Sequence, residues 1–164
     1  MKLHTLGALC LTVLGLTLIP ASVDAQTSSE TTLDAANFKQ TTVVHLWATW
    51  CSNCKNELQS GGWKKTVEEN PTTHFVFMTV WCEGDGREML AKYGVGGQKN
   101  VKILASNNPS RLTADRTKSV LGLPLTWVPT TLVYSGGALR YSLNYGEIRF
   151  PMLQEMITDC SSKW

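Results

Sequence analysis

The chain has 164 residues, 43% of them hydrophobic and 17% charged, enough apolar material to bury a core and too much for a disordered protein. Lys+Arg 15 against Asp+Glu 13 gives a formal +2 with no dense basic run, which excludes a dedicated nucleic-acid binder. A mean hydropathy of −0.09 with no second apolar run excludes a polytopic membrane protein.

Residues 1–25 read as a secretory signal. Lys2 and His4 give a basic start, the apolar run 5–19 follows, Pro20 breaks it, and Val23-Asp24-Ala25 offers small residues at a cleavage position. The run is short against the roughly 20 apolar residues of a spanning helix; an uncleaved anchor is the rival reading. Cys10 leaves with the leader, and the mature chain keeps Cys51, Cys54, Cys82 and Cys160 in a periplasmic or secreted setting where disulfides persist.

Residues 26–32 are polar and Ser/Thr-rich, a flexible lead-in to a single domain over 33–164. Residues 42–48 are nearly continuous in β-forming types and suit a central strand. Residues 52–69 turn helical, with a weak point at Gly61-Gly62, and Asn70-Pro71 stops them. A second buried strand spans 74–81, a short helix 85–93 closes at Gly94, and a short strand covers 101–104. Ser110 can cap a helix reaching Val120. Strands 130–134 and 139–143 form a hairpin around Ser135-Gly136-Gly137, and an amphipathic helix over 150–160 follows. This order describes an α/β protein with a central mixed β-sheet flanked by helices.

The chemistry lies where the first strand hands over to a helix, at Trp50-Cys51-Ser52-Asn53-Cys54-Lys55. Cys51 falls at the helix N-terminus, where unpaired N–H groups and the helix dipole stabilise a thiolate, and Lys55 adds positive charge. Two intervening residues bring both sulfurs within bonding distance, so a mixed disulfide formed by one can be resolved by the other. Zinc would need a second close Cys or His pair, and His74, Cys82 and Cys160 do not supply one. A purely structural bridge would close too small a loop to restrict the unfolded chain much. No metal and no cofactor are called for, since the two sulfurs carry the reaction.

The run HLWATWCSNCKNE, followed far along the chain by Val128-Pro129-Thr130-Thr131, resembles two separated motifs of the thioredoxin superfamily. Within it the match is to the extracytoplasmic TlpA/ResA/CcmG-like thiol-disulfide oxidoreductases, over about residues 33–160. The resemblance implies a thioredoxin-like fold, a cis Val128-Pro129 bond packed against the Cys51–Cys54 redox-active pair, and a Val128 backbone open to an extended substrate. Composition alone favours an ordinary trans proline starting the strand. Glu57 matches an acidic position that the family associates with tuning thiol acidity; the alternative is a solvated helix carboxylate. The family's proline five residues after the second cysteine is Gln59 here, so the usual kink passes to Gly61-Gly62.

His45 lies six residues before Cys51, where thioredoxins carry a buried acid. Either it exchanges a proton with Cys54 during resolution, or it is a core histidine satisfied by a backbone carbonyl. Trp50 is expected to shape the substrate groove and Trp47 to pack inside, while Trp81 and Trp127 fit either a rim or the core. Cys82 and Cys160 invite pairing in an oxidising space, but a closing helix carries Cys160 roughly 16 Å from the active-site end, and bridged Cα atoms lie within about 7 Å. Cys82 as a third redox thiol is a further option.

The expected activity is exchange of disulfides with exported proteins that contain cysteines, in the reducing direction, with electrons from a membrane thiol reductase. An oxidase or isomerase of protein disulfides, or a Cu(I) chaperone on the same fold, are the alternatives.

Overall fold

The computed structural model describes residues 33–144 and 146–164; the expected signal segment and lead-in, 1–32, lie outside them. After a 3-10 turn at Ala35–Asn37, capped by the Asp34 side chain, the elements run β1 Thr42–Trp47, α1 Ser52–Gln59, α2 Gly62–Glu69, β2 His74–Thr79, α3 Arg87–Lys92 and β3 Val101–Ala105. Two short strands follow, β4 Ser119–Val120 and β5 Leu123–Pro124, then β6 Thr130–Ser135, β7 Ala138–Leu143 and α4 Phe150–Lys163.

The main sheet has the order β3-β2-β1-β6-β7. β1, β2 and β3 are parallel, β6 runs antiparallel to β1, and β7 antiparallel to β6. β1 is buried at every position because both its faces are covered, which explains its unbroken apolar run. Its residues nonetheless alternate between the faces. His45 packs on the Trp63 ring of α2, while Leu46 lines a cavity on the far side with Val120, Leu123 and Leu132.

The predicted 52–69 helix is two helices. Gly61, at φ 73°, takes the left-handed conformation that ends the first path and starts α2. Gly62 is needed for a different reason: a Cβ there would lie 2.1 Å from the Phe150 ring, so its hydrogen lets α4 close onto α2.

The helix expected from Ser110 to Val120 does not form. Residues 111–118 offer only Leu112 and Ala114 as apolar side chains, and Leu112 is 69% exposed, so no stripe exists to bury. The stretch runs as bends and turns into the β4–β5 pair, where Val120 and Leu125 become the buried anchors. Irregular chain, rather than a helix, therefore covers the sheet face opposite α2 and α4. The final helix reaches Lys163, three residues beyond the expected end.

Cys82 and Cys160 are both buried and both free. Ser135, at the end of β6 remote from Cys51, donates its hydroxyl to the Cys160 carbonyl, while Cys82 follows Trp81 at the end where the Cys51–Cys54 segment lies. They occupy opposite ends of the sheet, so no intramolecular bridge joins them.

Candidate active site

β1 ends at Trp47, and the Cys51 amide donates to the Ala48 carbonyl to close a tight turn. Cys51 is the N-cap of α1, with extended backbone angles and a side chain that accepts a bond from the Cys54 amide at 3.4 Å. The sulfur thus does what a capping oxygen does elsewhere: it receives one of the otherwise unpartnered N–H groups of a first helical turn. A negative charge on it faces the positive end of α1.

On its other side the Cys51 thiol donates to the Val128 carbonyl at 3.6 Å, and the Val128-Pro129 bond is cis, as the family resemblance implies. Cys51 is 7% exposed and Cys54 fully buried. Burial pushes the Cys54 thiol far above its ordinary range, helped by its contact with Cys51 and by the negative charge of Glu57. The two sulfurs are therefore unequal. One is reachable and held against a carbonyl and an amide; the other is enclosed and keeps its proton.

Beneath them lies a buried polar cluster. Glu57 is not the solvated helix carboxylate of one sequence reading; it is 2% exposed. One oxygen accepts from the Ile148 amide at 2.7 Å, and the other from the Trp63 indole N–H at 3.1 Å. Its second oxygen also lies 3.3 Å from His45 Nε2. The other ring nitrogen of His45, Nδ1, meets the Thr131 hydroxyl at 2.9 Å, because the strand register sets His45 directly opposite Thr131. Among the described residues no backbone carbonyl bonds this histidine. Its partners are a hydroxyl and a carboxyl group.

Burial lowers the His45 imidazole to about 3 and raises the Glu57 carboxyl to about 7; the Ile148 and Trp63 donors partly offset the second shift, and Glu147 adds to it. The 3.3 Å approach is thus a close polar contact between a neutral ring and a carboxyl group that titrates near neutrality, rather than a charged pair. A cavity of about 180 Å3 lined by Glu57, Pro129, Thr131 and Glu147 adjoins the cluster.

Trp50 is 39% exposed, and its indole N–H donates to the Trp81 carbonyl at 2.8 Å. Trp47 packs inside, at 1% exposure. Of the two undecided tryptophans, Trp81 is buried and Trp127, next to Val128, is 50% exposed. The structure thus brings Cys51, Cys54, Trp50 and Val128 to one end of the sheet, with Glu57 and His45 below and Pro129 bordering the cavity. Sequence reading missed Trp63, the Ile148 amide and the Thr131 side chain as members of the cluster. Only Thr131 carried a signal, its place in the Val-Pro-Thr-Thr run.

No protein-family model matches the chain, and no curated protein matches it. Solved structures do. The chain is similar to a DsbF homologue from Corynebacterium diphtheriae, at 20% identity over 76% of this chain and 74% of that one, with a TM-score of 0.56. It is similar to a secreted Mycobacterium tuberculosis disulfide oxidoreductase homologous to E. coli DsbE, at 16% identity over 77% and 87%, TM-score 0.56. It is also similar to M. tuberculosis DsbF in mixed oxidised and reduced forms, at 18% identity over 74% and 81%, TM-score 0.53. At these identities the likeness shows a thioredoxin-like fold.

Proposed function

We propose that the protein is a thiol-disulfide oxidoreductase, working outside the cytoplasm after removal of residues 1–25, that reduces disulfides in exported proteins. The observation that carries this reading is the inequality of the two thiols: Cys51 caps α1 beside the cis Val128-Pro129 bond, and Cys54 is fully enclosed.

The Cys51 thiolate attacks one sulfur of the substrate disulfide, which releases the other substrate sulfur as a thiolate and leaves a mixed disulfide. Cys54 then loses its proton and attacks Cys51 Sγ. The second substrate sulfur departs and takes a proton, and a Cys51–Cys54 disulfide remains. Two electrons have passed from the protein to the substrate. Glu57 is the group suited to take the Cys54 proton, since its carboxyl titrates near 7 and its charge acts on that thiol. His45 positions Glu57 from behind. Trp50, Val128 and Pro129 form the substrate-facing wall, and a membrane thiol reductase resets the pair.

The test is reduction of insulin, followed by turbidity. Cys51→Ser should abolish it, and Cys54→Ser should accumulate a stable mixed disulfide visible by mass. Activity surviving in Cys51→Ser overturns the reading. Equilibration with glutathione decides direction: a potential near −270 mV supports a reductant, and one near −120 mV overturns that direction in favour of an oxidase. A Cu(I)-binding role is tested by titration of the reduced pair.

A further inference from the structure

Two guanidinium groups lie over tryptophan rings at the Cys51 end. Arg111 Cζ sits 4.1 Å from the centre of the Trp50 ring, and Arg116 Cζ 4.3 Å from that of Trp81. Both arginines come from the irregular stretch that replaces the expected helix. The rings they cover are held by their edges: Trp50 N–H on the Trp81 carbonyl, and Trp81 N–H on the Thr117 carbonyl, each at 2.8 Å. Trp50 is the residue immediately before Cys51.

A guanidinium held over an aromatic ring by its central carbon keeps N–H donors for a further partner, in the fork that matches a carboxylate. Among the described residues neither Arg111 nor Arg116 forms an ion pair, and the nearby Asp115 side chain pairs with neither. Arg111 is exposed and Arg116 half-buried. The ring contact removes much of the rotamer freedom that a free arginine loses on binding, so the site is partly ordered before any partner arrives.

We propose that Arg111 on Trp50, with Arg116 on Trp81 behind it, forms a cationic rim that selects polypeptide disulfides flanked by Asp or Glu. This deepens the oxidoreductase reading and rests on it. Charge complementarity identifies the partner: an acidic segment of a disulfide-bonded chain, lying across Trp50 while its sulfur meets Cys51.

The test uses the reduced full chain and two peptides that share one disulfide, flanked by aspartates in one and lysines in the other, with uncharged hydroxyethyl disulfide as a third substrate. The acidic peptide should react about fivefold faster than the basic one at low ionic strength, the size of an exposed charge pair's effect on a rate. The ratio should shrink as salt screens it. Arg111→Gln should bring the ratio close to one, and Arg111→Glu should invert it. Because the readout is a ratio within each variant, a general loss of activity does not imitate the result. Equal rates for the two peptides in the unaltered protein, or an unchanged ratio in both variants, overturn the rim while hydroxyethyl disulfide is still reduced. Failure to reduce hydroxyethyl disulfide at all overturns the reductant reading and this inference with it.

Discussion

Glu57→Gln separates two titrations that cancel in the native protein. Glu57 is raised from 4.5 to about 7, and His45 is lowered from 6.5 to about 3. The Glu57 contribution to stability is complete below pH 4.5 and is lost as pH rises through about 7. The His45 contribution is complete above pH 6.5 and is lost as pH falls towards about 3. Between pH 4.5 and 6.5 the folded pair holds one proton, on Glu57, and the unfolded pair also holds one, on His45. Their slopes oppose each other, and this pair leaves stability flat across the window. Glutamine removes one side of the balance. The unfolded chain then binds one more proton than the folded chain, and each pH unit of acidification costs about 1.4 kcal/mol. Over two units the gap between variant and unaltered protein should widen by about 3 kcal/mol. With a urea slope of roughly 1–3 kcal/mol/M, that moves the difference in midpoints by about 1–3 M. Urea unfolding of both proteins at pH 4.5, 5.5 and 6.5, with the cysteines reduced, measures it. Two stability curves that stay parallel across this range refute the reasoning.

Thr131→Val deprives His45 Nδ1 of its hydroxyl partner and should cost about 1–3 kcal/mol, the penalty of an unsatisfied buried polar atom; an unchanged urea midpoint would count against the cluster. Gly86→Ala should destabilise by roughly 2–4 kcal/mol, because the new Cβ falls 2.4 Å from the buried Trp47 ring at a φ of 69°. Thermal unfolding reads that loss, and a midpoint equal to that of the unaltered protein contradicts it. His45→Asn should displace the pH at which the mixed disulfide resolves, since His45 holds the carboxyl group proposed to take the Cys54 proton. Rapid-quench kinetics across pH 5–9 follow it, and an unmoved profile removes His45 from the proton path.

The strands were legible because their residues carry the period-2 or continuously apolar signatures of covered sheets, and the Cys-x-x-Cys pair because a strand end and a helix start bracket it. The break at Gly61 was legible for the same local reason. The stretch after Ser110 departs from its expectation because a good capping residue starts a helix only where an apolar stripe follows, and residues 111–118 carry none. The Glu57 cluster was only half legible. Residues 45, 57, 63, 131 and 148 meet through strand register and helix packing, which no local pattern encodes. Local pattern exposes chemistry close along the chain; of the chemistry assembled by folding, only the cis Val128-Pro129 bond beside Cys51 was legible, and that through the family resemblance.

One hydrogen bond gives this cluster a spectroscopic handle. The Ile148 amide, 91 residues along the chain from Glu57, donates directly to its carboxyl group at 2.7 Å. When that group takes up a proton, the bond loses its charge assistance and lengthens, and the amide resonance moves upfield. A single backbone nitrogen, far along the chain from either cysteine, thereby broadcasts the ionisation of the buried acid in a two-dimensional nuclear magnetic resonance spectrum, with no label placed near the sulfurs.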